Sequence, residues 1–553
     1  MKMHRCVRRI AGAALASVSA LAIAATVLAD EDGHDHGTAG KIGEAHFKVS
    51  CTPEAQATFN RAVALLHSFW FKPARSAFEE VAKQDPSCAM AFWGVAMVAR
   101  GNPLAAPPQP KAMAEGLAAI ERAQSIGGKT QRERDYIEAA ALFYRDHDKK
   151  DHRTRVSAHE EALARLAAAY PDDREATVFH ALALNMAASP DDKTYAKQLK
   201  AGKLLEAVFA EQPQHPGVAH YLIHTYDYPA IAKQGLNAAK RYAAIAPEAP
   251  HAMHMPSHIF SRLGYWEESI ASNRDSAEAW KKDINSPDPK LRGSEALHAY
   301  DYMVYAHLQL GQDGAAKRVV DEIAAGDKVD NANPIAESYA LAAAPARYAL
   351  ERHRWDEAAR LTVPKVAGVA WDKFPQSEAV VHFARALGAA RSGDVATANA
   401  AVERLKQLQD ALVTMKQGYW AGQVGIQGKA ATAWVALAEG RKDEALALMR
   451  EAADLESATE KHIVMPGPIV PARELLGFML LETGQPAEAL VEFEKSQVVE
   501  PNRFQGFAGA ARAAELLGRR DKAEAYYAKL MELTTKADTE RPALQTARAF
   551  LGR

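Results

Sequence analysis

An all-α solenoid of stacked helix pairs is the fold that the sequence predicts, on three observations. From Ala55 onward, apolar residues recur at helical spacing, alanine dominates, and alternating runs of β-branched residues are nearly absent. The 553 residues are 48% hydrophobic and 25% charged, which is the composition of a folded protein with a large core. Glycine and proline recur where one helix would end and the next begin. We expect roughly ten helix-turn-helix pairs in one superhelix.

The C-terminal part carries the clearest repeat. Its small and aromatic positions are Gly484, Ala489, Phe493, Gly518, Ala523 and Tyr527. The first three of these positions recur as the last three about 34 residues later, which is the length of a tetratricopeptide (TPR) unit. Near the N-terminus, Ala74, Phe78 and Pro86 show the same offsets, so the chain resembles a TPR protein at both ends. We expect a divergent TPR-like array over 51–428 and C-terminal TPR units over 429–553.

The N-terminal segment has the pattern of a signal peptide. Arg8 and Arg9 precede an uncharged apolar run, and Ala29 ends a small-residue cleavage pattern, so 1–29 should be removed. This predicts a periplasmic or secreted protein without a membrane anchor. The alternative is an uncleaved anchor, because the apolar run is nearly long enough to span a bilayer. Residues 30–50, rich in acidic residues and glycine and containing His34 and His36, are predicted to be a disordered leader.

Cysteine usage fits export. Of three cysteines, Cys6 would leave with the signal peptide, and Cys51 and Cys88 would lie in an oxidising compartment. We therefore expect a disulfide between Cys51 and Cys88. The alternative is two separately buried thiols, since sequence does not show whether the two side chains meet.

The charge balance argues against nucleic acid as a partner. The chain has 67 Lys and Arg against 69 Asp and Glu, so bulk charge gives no basic surface. In a solenoid of helix pairs, the first helices line a concave groove where ligands bind. We expect a peptide, a protein or a small molecule in that groove.

Histidines are concentrated in one short stretch of the chain. Of 20 histidines, five lie within one 39-residue window, namely His220, His224, His251, His254 and His258. The first two are spaced i, i+4 and the others i, i+3, i+7, so each set would project from one helical face, although Pro256 weakens the second inference. Imidazoles in such sets bind transition metals. Met253 and Met255 favour copper, and zinc is the other candidate.

Six further residues are candidates for ligand binding in the same groove, namely Asp227, His298, Asp301, His67, His462 and Arg473. In the repeat register the histidine segments fall on consecutive first helices, with His298 and Asp301 on the next, so all should face one groove. Arg473 would clamp a carboxylate. Its alternative role is a surface ion pair with Glu474 or with a neighbouring unit.

Four sequence segments are similar to a bacterial family of exported TPR proteins. They are Leu65-Leu66-His67-Ser68-Phe69, Cys88-Ala89-Met90-Ala91-Phe92-Trp93-Gly94, His220-Tyr221-Leu222-Ile223-His224 and His251-Ala252-Met253-His254-Met255-Pro256-Ser257-His258-Ile259-Phe260. The resemblance covers nearly the whole mature chain and implies a TPR superhelix. This family has no established reaction or ligand, so the resemblance implies no functional residues.

Two functions from different classes follow from these patterns. The first is a periplasmic binding protein whose groove holds a ligand or partner, with a metal site at the five clustered histidines. The second is a metalloenzyme, a hydrolase or oxidoreductase, in which the same histidines hold a metal with an open position. Without metal, the imidazoles would be hydrogen-bonding groove residues, or acid-base groups oriented by Asp227 or Asp301. Whether the protein is an enzyme stays open from sequence.

Overall fold

A computed structural model describes residues 41–105, 107–189, 192–284 and 288–552. The predicted signal peptide, 1–29, and positions 30–40 of the predicted leader lie outside these residues. Within them the chain forms 26 α-helices, two two-residue strands and two short 3-10 helices. The prediction of an all-α array is confirmed for the described part of the chain.

The helices of the N-terminal half are α1 (Pro53–His67), α2 (Phe71–Gln84), α3 (Ala89–Ala99), α4 (Pro110–Ile126), α5 (Gln131–Tyr144), α6 (His152–Ala169), α7 (Arg174–Met186), α8 (Ala196–Glu211), α9 (Pro216–Tyr226), α10 (Leu236–Ile245), α11 (Pro250–His254), α12 (Pro256–Leu263) and α13 (Trp266–Ile284). Those of the C-terminal half are α14 (Ser294–Gln309), α15 (Asp313–Ala324), α16 (Pro334–Leu350), α17 (Trp355–Ala359), α18 (Pro375–Arg391), α19 (Val395–Thr414), α20 (Gly418–Ala438), α21 (Lys442–Ala458), α22 (Ala472–Glu482), α23 (Pro486–Val499), α24 (Phe504–Leu516), α25 (Arg520–Leu533) and α26 (Pro542–Leu551). The 3-10 helices are Ala232–Gly235 and Trp371–Lys373, and the strands β1 (Leu291–Arg292) and β2 (Lys328–Val329) pair in parallel.

Consecutive helices pack against each other as pairs along the described array. If α11 and α12 are counted as one interrupted helix that packs on α13, there are twelve pairs, followed by α26. This is slightly more than the roughly ten pairs expected. The boundary predicted between 428 and 429 is wrong as a structural division, because it falls inside α20 and the array runs through it as one unit.

Small residues let neighbouring helices approach closely, both within a pair and between successive pairs. A Cβ added at Gly94 would lie 2.2 Å from the ring of Phe78. In a second example, two glycines pack against one ring. A Cβ added at Gly477 would lie 2.7 Å from the ring of Phe493, and one added at Gly509 would lie 2.2 Å from it. The aromatic position of the repeat therefore fills space that the glycines leave open.

Residues 41–50 are part of the folded array, so the prediction of a disordered leader over 30–50 is wrong for this stretch. Phe47 is fully buried, and its ring packs against the rings of Phe59 and Trp93. The backbone N–H of Glu44 donates to the carbonyl of Gln214 at 3.0 Å. Apolar residues at alternate positions supply the burial energy that an acidic leader lacks.

Cys51 and Cys88, which the sequence predicts to pair, are joined by a disulfide with Cα atoms 5.2 Å apart. The bond ties the chain just before α1 to the start of α3. In the part of the chain that the structure describes, no helix is both long and apolar enough to cross a membrane.

The histidine-rich segments occupy the first helices of three successive pairs. His220 and His224 lie on α9, the 251–258 segment forms α11 and α12, and His298 lies on α14. Pro256 divides the middle helix, but Met255 between the two parts keeps right-handed helical angles, φ −51° and ψ −38°. The proline therefore leaves the histidines before and after it on one face.

The interior at these helices is closed rather than an open groove. Helix α1 packs against α9, and the segment between α21 and α22 lies over α12 and α14, where Tyr302 donates to the carbonyl of Met465 at 3.1 Å. On the same segment, the carbonyls of Gly467 and Pro468 accept from Arg347 at 2.9 and 2.6 Å.

Candidate metal centre

Six of the histidines form two groups of three, each compact enough for one metal ion. We define the first triad as His220, His224 and His251, and the second triad as His254, His258 and His298. In each triad, one nitrogen per ring lies within 4.8 Å of the corresponding nitrogens of the other two rings. The sequence-predicted set of five is therefore brought together, but split between two neighbouring sites.

The first triad is built from the i, i+4 pair of α9 and from the start of α11. The Nε2 atoms of His220 and His224 are 3.1 Å apart. The ring of His251 has its centroid 5.1 Å from that of His220 and 6.4 Å from that of His224. The Nδ1 atom of His224 and the Nε2 atom of His251 are buried without a hydrogen-bond partner in the described structure. Two ring nitrogens of this triad thus lack the partner that a buried polar atom normally has.

The second triad combines the i, i+4 pair around Pro256 with His298 of α14. The Nε2 atoms of His254 and His258 are 3.0 Å apart. The ring of His298 has its centroid 4.4 Å from that of His254 and 6.2 Å from that of His258. Three imidazoles from three helices therefore converge on one point.

Hydrogen bonds at the opposite ring nitrogens fix the tautomers of the second triad. Nδ1 of His254 donates to Oδ1 of Asn273 at 2.6 Å, and the Asn273 amide is oriented because its Nδ2 donates to the carbonyl of Ser269. Nδ1 of His258 donates to Oδ2 of Asp227 at 2.9 Å. A neutral imidazole carries one hydrogen, so the Nε2 atoms of both rings present lone pairs to each other. Such an arrangement is the usual one for histidines that ligate a metal through Nε2.

In the first triad, His220 also has a hydrogen-bond partner at Nδ1 that fixes its tautomer. Nδ1 of His220 donates to the backbone carbonyl of His67 at 2.6 Å, which leaves its Nε2 as an acceptor. His251 contacts Glu295 through Nδ1 at 3.3 Å. Partners at the remote nitrogen orient the ring and raise its basicity as a ligand.

Burial keeps the imidazoles neutral. His220 and His254 are fully buried, and burial together with the neighbouring imidazoles holds the pKa of each well below the usual histidine range. The same causes lower the pKa of His224 and His298. Burial also lowers the pKa of His258, against the opposing effect of Asp227. Neutral imidazole is the form that binds metal.

Asp227 connects the second triad to two buried cations. Besides the bond to His258, its carboxylate accepts from Nε of Arg262 at 2.9 Å and from Nζ of Lys461 at 3.0 Å. Although burial opposes ionisation, Lys461 and Arg262 hold the pKa of Asp227 below its usual range. Burial lowers the pKa of Lys461 to about 8. Asp227 is therefore an ionised partner of a histidine and belongs to this network, not to an open groove.

A third group of possible ligands, which we call the closed cluster, consists of His67, Glu175 and His215. Nε2 of His67 and Nε2 of His215 donate to the two carboxylate oxygens of Glu175 at 2.9 and 3.0 Å. Nδ1 of His67 lies 2.9 Å from the Tyr221 hydroxyl, and Nδ1 of His215 accepts from the backbone N–H of Val218. Every ring nitrogen has a partner, so this cluster needs no metal. His67, expected in the groove, acts here through its carbonyl bond to His220.

Aromatic rings wall the two triads. The Phe69 ring lies 4.4 Å from that of His220, 6.0 Å from that of His224 and 5.8 Å from that of His251, measured between centroids. Phe69 adopts φ +53°, a left-handed conformation that is costly for a bulky residue. Strain of this kind is retained where the position of the side chain matters.

Three of the other predicted groove residues have different surroundings from those expected. The carboxylate of Asp301 accepts from Nε of Arg347 at 3.0 Å. His462 packs against Trp420, with centroids 4.8 Å apart, and its Nδ1 accepts from the backbone N–H of Val464. Both residues lie where the repeat register predicts them. Their side chains, however, contact other protein groups instead of the triads.

Arg473 is the third. It pairs with Glu492 of α23 and Asp454 of α21 at 2.6 and 3.1 Å. This agrees with the alternative of an ion pair with a neighbouring unit, but the partner is not Glu474, which is fully buried beside Arg503. Arg473 does line a small pocket together with Lys461 and Arg262. The pocket thus borders the ion network of Asp227.

Two features of the candidate metal centre were not predicted from the sequence. His298 was expected in the groove but not among the ligands, although its place on the next first helix was the available signal. Asn273, the partner of His254, lies on the second helix α13, where no spacing rule points to it. Met255 is fully buried and belongs to an apolar core cluster that also contains Ile259.

No family model and no curated protein matches the sequence. Among solved structures, Naa15/Naa10 bound to HypK-THB matches over 89% of this chain at 16% identity and a TM-score of 0.22, and the match spans 64% of that chain. The APC/C hetero-tetramer Cut9-Hcn1 matches over 91% of this chain and 90% of its own, at 12% identity and a TM-score of 0.28. The chemistry of the site is accordingly derived from the residues of this chain.

Proposed function

We propose that this protein is a helical-repeat metalloprotein that holds two transition-metal ions, one in each triad. The observation that carries the proposal is the 3.0 Å separation of the Nε2 atoms of His254 and His258, whose hydrogens are both committed at Nδ1. Two buried lone pairs at this distance repel each other. A cation beside both of them converts the repulsion into coordination.

The donor set supports a transition metal over a hard cation. Each triad offers three imidazole nitrogens and no carboxylate oxygen. Copper, zinc, iron and nickel bind imidazole, whereas calcium and magnesium require oxygen ligands. Three protein ligands leave one coordination position for a small molecule.

Burial favours catalysis or small-molecule binding at the triads over recognition of a protein segment. His220 and His254 have no exposed surface, and His258 is 2% exposed. A peptide would have no access to these rings, whereas a ligand of a few atoms needs little space. We therefore favour the metalloenzyme over a groove that binds a partner. Export to the periplasm is part of the proposal, and the Cys51–Cys88 disulfide supports it because such bonds persist in oxidising compartments.

Metal content measured by elemental mass spectrometry on untagged protein tests the proposal. The variants are His220→Ala with His224→Ala for the first triad, and His254→Ala with His258→Ala for the second. His353→Ala with His462→Ala removes two other buried histidines as a control. We expect two ions per chain in the parent and the control, and one in each triad variant. Absence of metal, or a metal content that neither triad variant changes, would overturn the proposal.

A further inference from the structure

We propose that the two ions are copper and that the two triads act as one coupled pair that binds dioxygen between them. This inference rests on the proposed function, because it requires both triads to hold metal. It goes further by naming the element, the ligand and the electronic coupling of the two sites.

The two triads are direct neighbours in the structure. The rings of His224 and His258, from opposite triads, have centroids 5.8 Å apart, and those of His251 and His254 have centroids 6.2 Å apart. His251 and His254 are also only three residues apart, on the same short helix. The two triads therefore share one helical turn of α11, which supplies one ligand to each of them. Pairs of ions about 3.5–4 Å apart are bridged by a single small ligand.

The absence of a carboxylate from both triads favours copper. Two divalent ions such as zinc would bring four positive charges into a buried site where each triad supplies only neutral imidazoles. The nearby carboxylates of Asp227 and Glu295 contact the Nδ1 atoms of His258 and His251, the nitrogens remote from a metal bound at Nε2. Two Cu(I) ions carry half that charge and accept imidazole nitrogen readily. The buried donor set therefore fits a reduced copper pair.

The walls of the site select a ligand of very few atoms. Phe69 covers the first triad, and the ring of Tyr302 lies 4.8 Å from that of His254, 5.3 Å from that of His258 and 5.2 Å from that of His298. The Tyr302 hydroxyl is directed to the carbonyl of Met465 at 3.1 Å. One aromatic ring therefore borders each triad, which favours a small apolar molecule such as dioxygen as the ligand.

The binding step balances without another reagent. One dioxygen molecule lies between two Cu(I) ions, and each ion gives one electron to it. The O–O double bond becomes a single bond, and the products are two Cu(II) ions and a bridging peroxide dianion. No proton is taken up. Release of dioxygen returns one electron to each copper ion.

Electron paramagnetic resonance (EPR) and oxygen uptake test the inference on protein loaded with copper, reduced anaerobically and then exposed to dioxygen. We expect uptake of one dioxygen per two copper ions and almost no Cu(II) EPR signal after this oxidation, because the two unpaired electrons couple through the bridge. An EPR signal that integrates to two spins per chain, or no oxygen uptake, would overturn it. So would two zinc ions as the native metal content, which leaves the proposed function intact.

Two histidines of α14 give a matched pair of variants. His298→Ala removes one ligand of the second triad, and we expect one tightly bound copper ion with a normal one-spin EPR signal after oxidation. His307→Ala removes a histidine of the same helix that pairs with Gln312 at 2.7 Å, and we expect it to behave as the parent does. Identical EPR spectra for both variants would contradict the coupling of the two triads. Absence of metal from the parent would instead refute the proposed function itself.

Discussion

The Nε2 atoms of His254 and His258 lie 3.0 Å apart in the protein interior, and each ring has committed its hydrogen to an acceptor at Nδ1. Asn273 provides one acceptor and Asp227 the other. The closed cluster shows the opposite arrangement, since His67 donates from Nε2 to the carboxylate of Glu175. The histidines of the closed cluster are thus satisfied by the protein, whereas His254 and His258 are prepared to receive a cation.

Removal of the Asn273 side chain should weaken metal binding. In Asn273→Ala, His254 loses the partner that fixes its tautomer, so we expect the dissociation constant of the second triad for copper to rise by about 10- to 100-fold. Ser276→Ala is the matched control, since Ser276 is also buried on α13 but donates to the carbonyl of Pro250. Titration with a competing copper chelator gives the dissociation constant of each variant. Equal affinities in the two variants would contradict the role of Asn273.

Glu175→Gln should destabilise the protein without removing metal. An amide cannot accept from both His67 and His215, so one buried N–H loses its partner, and we expect the free energy of unfolding to fall by about 3 kcal/mol. Urea denaturation measures the loss, and elemental analysis should still find two ions per chain. Glu211→Gln, at an exposed position, is the control. Loss of one ion in Glu175→Gln would show that the closed cluster is itself a metal site.

The disulfide should contribute to stability through the unfolded chain. Cys51 and Cys88 are separated by 37 residues in the sequence. Closure of a loop of this length corresponds to about 4 kcal/mol in the chain-entropy model. We expect the double variant Cys51→Ser, Cys88→Ser to lose stability of that order in urea, with unchanged metal content. A reductant should destabilise the parent and leave the double variant unaffected.

Phe69→Ala should expose the first triad. The substitution removes the aromatic ring that covers three imidazoles. It does not relieve backbone strain, because the left-handed conformation at this position is costly for alanine as well. We expect a membrane-impermeant chelator to extract copper at least several-fold faster than from the parent. Phe71→Ala is the control, because Phe71 stacks on Phe69 with centroids 5.4 Å apart and has no ring contact with the triads among the described residues. Equal extraction rates in the two variants would contradict the shielding role.

A buried carboxyl group on α16 should make stability depend on pH. Burial raises the pKa of Glu337 to about 7, with Asp330 beside it, while Ser294 donates to its carboxylate at 2.5 Å. Between pH 4.5 and 7 the folded protein holds a proton that the unfolded chain releases, so stability falls as pH rises through this window.

We expect Glu337→Gln to remove that slope. The stability of the variant relative to the parent should grow from pH 4.5 to pH 7, by up to about 3 kcal/mol in total. Urea denaturation at several pH values measures this difference in the free energy of unfolding. The exposed Glu403→Gln serves as control, and a pH-independent difference between the Glu337 variant and the parent would rule out a raised pKa.

The fold was largely predictable because it repeats. Glycine, alanine and aromatic positions such as Gly94 against Phe78 encode helix pairing locally, and each unit solves the same packing problem. The number of pairs was underestimated because middle units depart from the repeat. The position of residues 41–50 depends on contacts with distant parts of the chain, such as the Glu44–Gln214 bond, which no local pattern reveals.

Five of the six candidate ligands were predictable from the sequence, but His298 as a ligand and the division into two triads were not. Spacing of i, i+4 identifies His220 with His224 and His254 with His258, since a helix places both members of each pair together. The assignment of His251 to the first triad and of His254 to the second depends on how three helices cross. Asn273 and Lys461 come from elements that carry no sequence signal for metal binding.

X-ray diffraction at the copper absorption edge, on crystals of the copper-loaded protein, tests the central claim most directly. We predict two anomalous peaks, one within about 2.0–2.1 Å of an imidazole nitrogen of each member of the first triad and the other equally close to the second triad. A peak at the closed cluster, or no peak at either triad, would contradict the account.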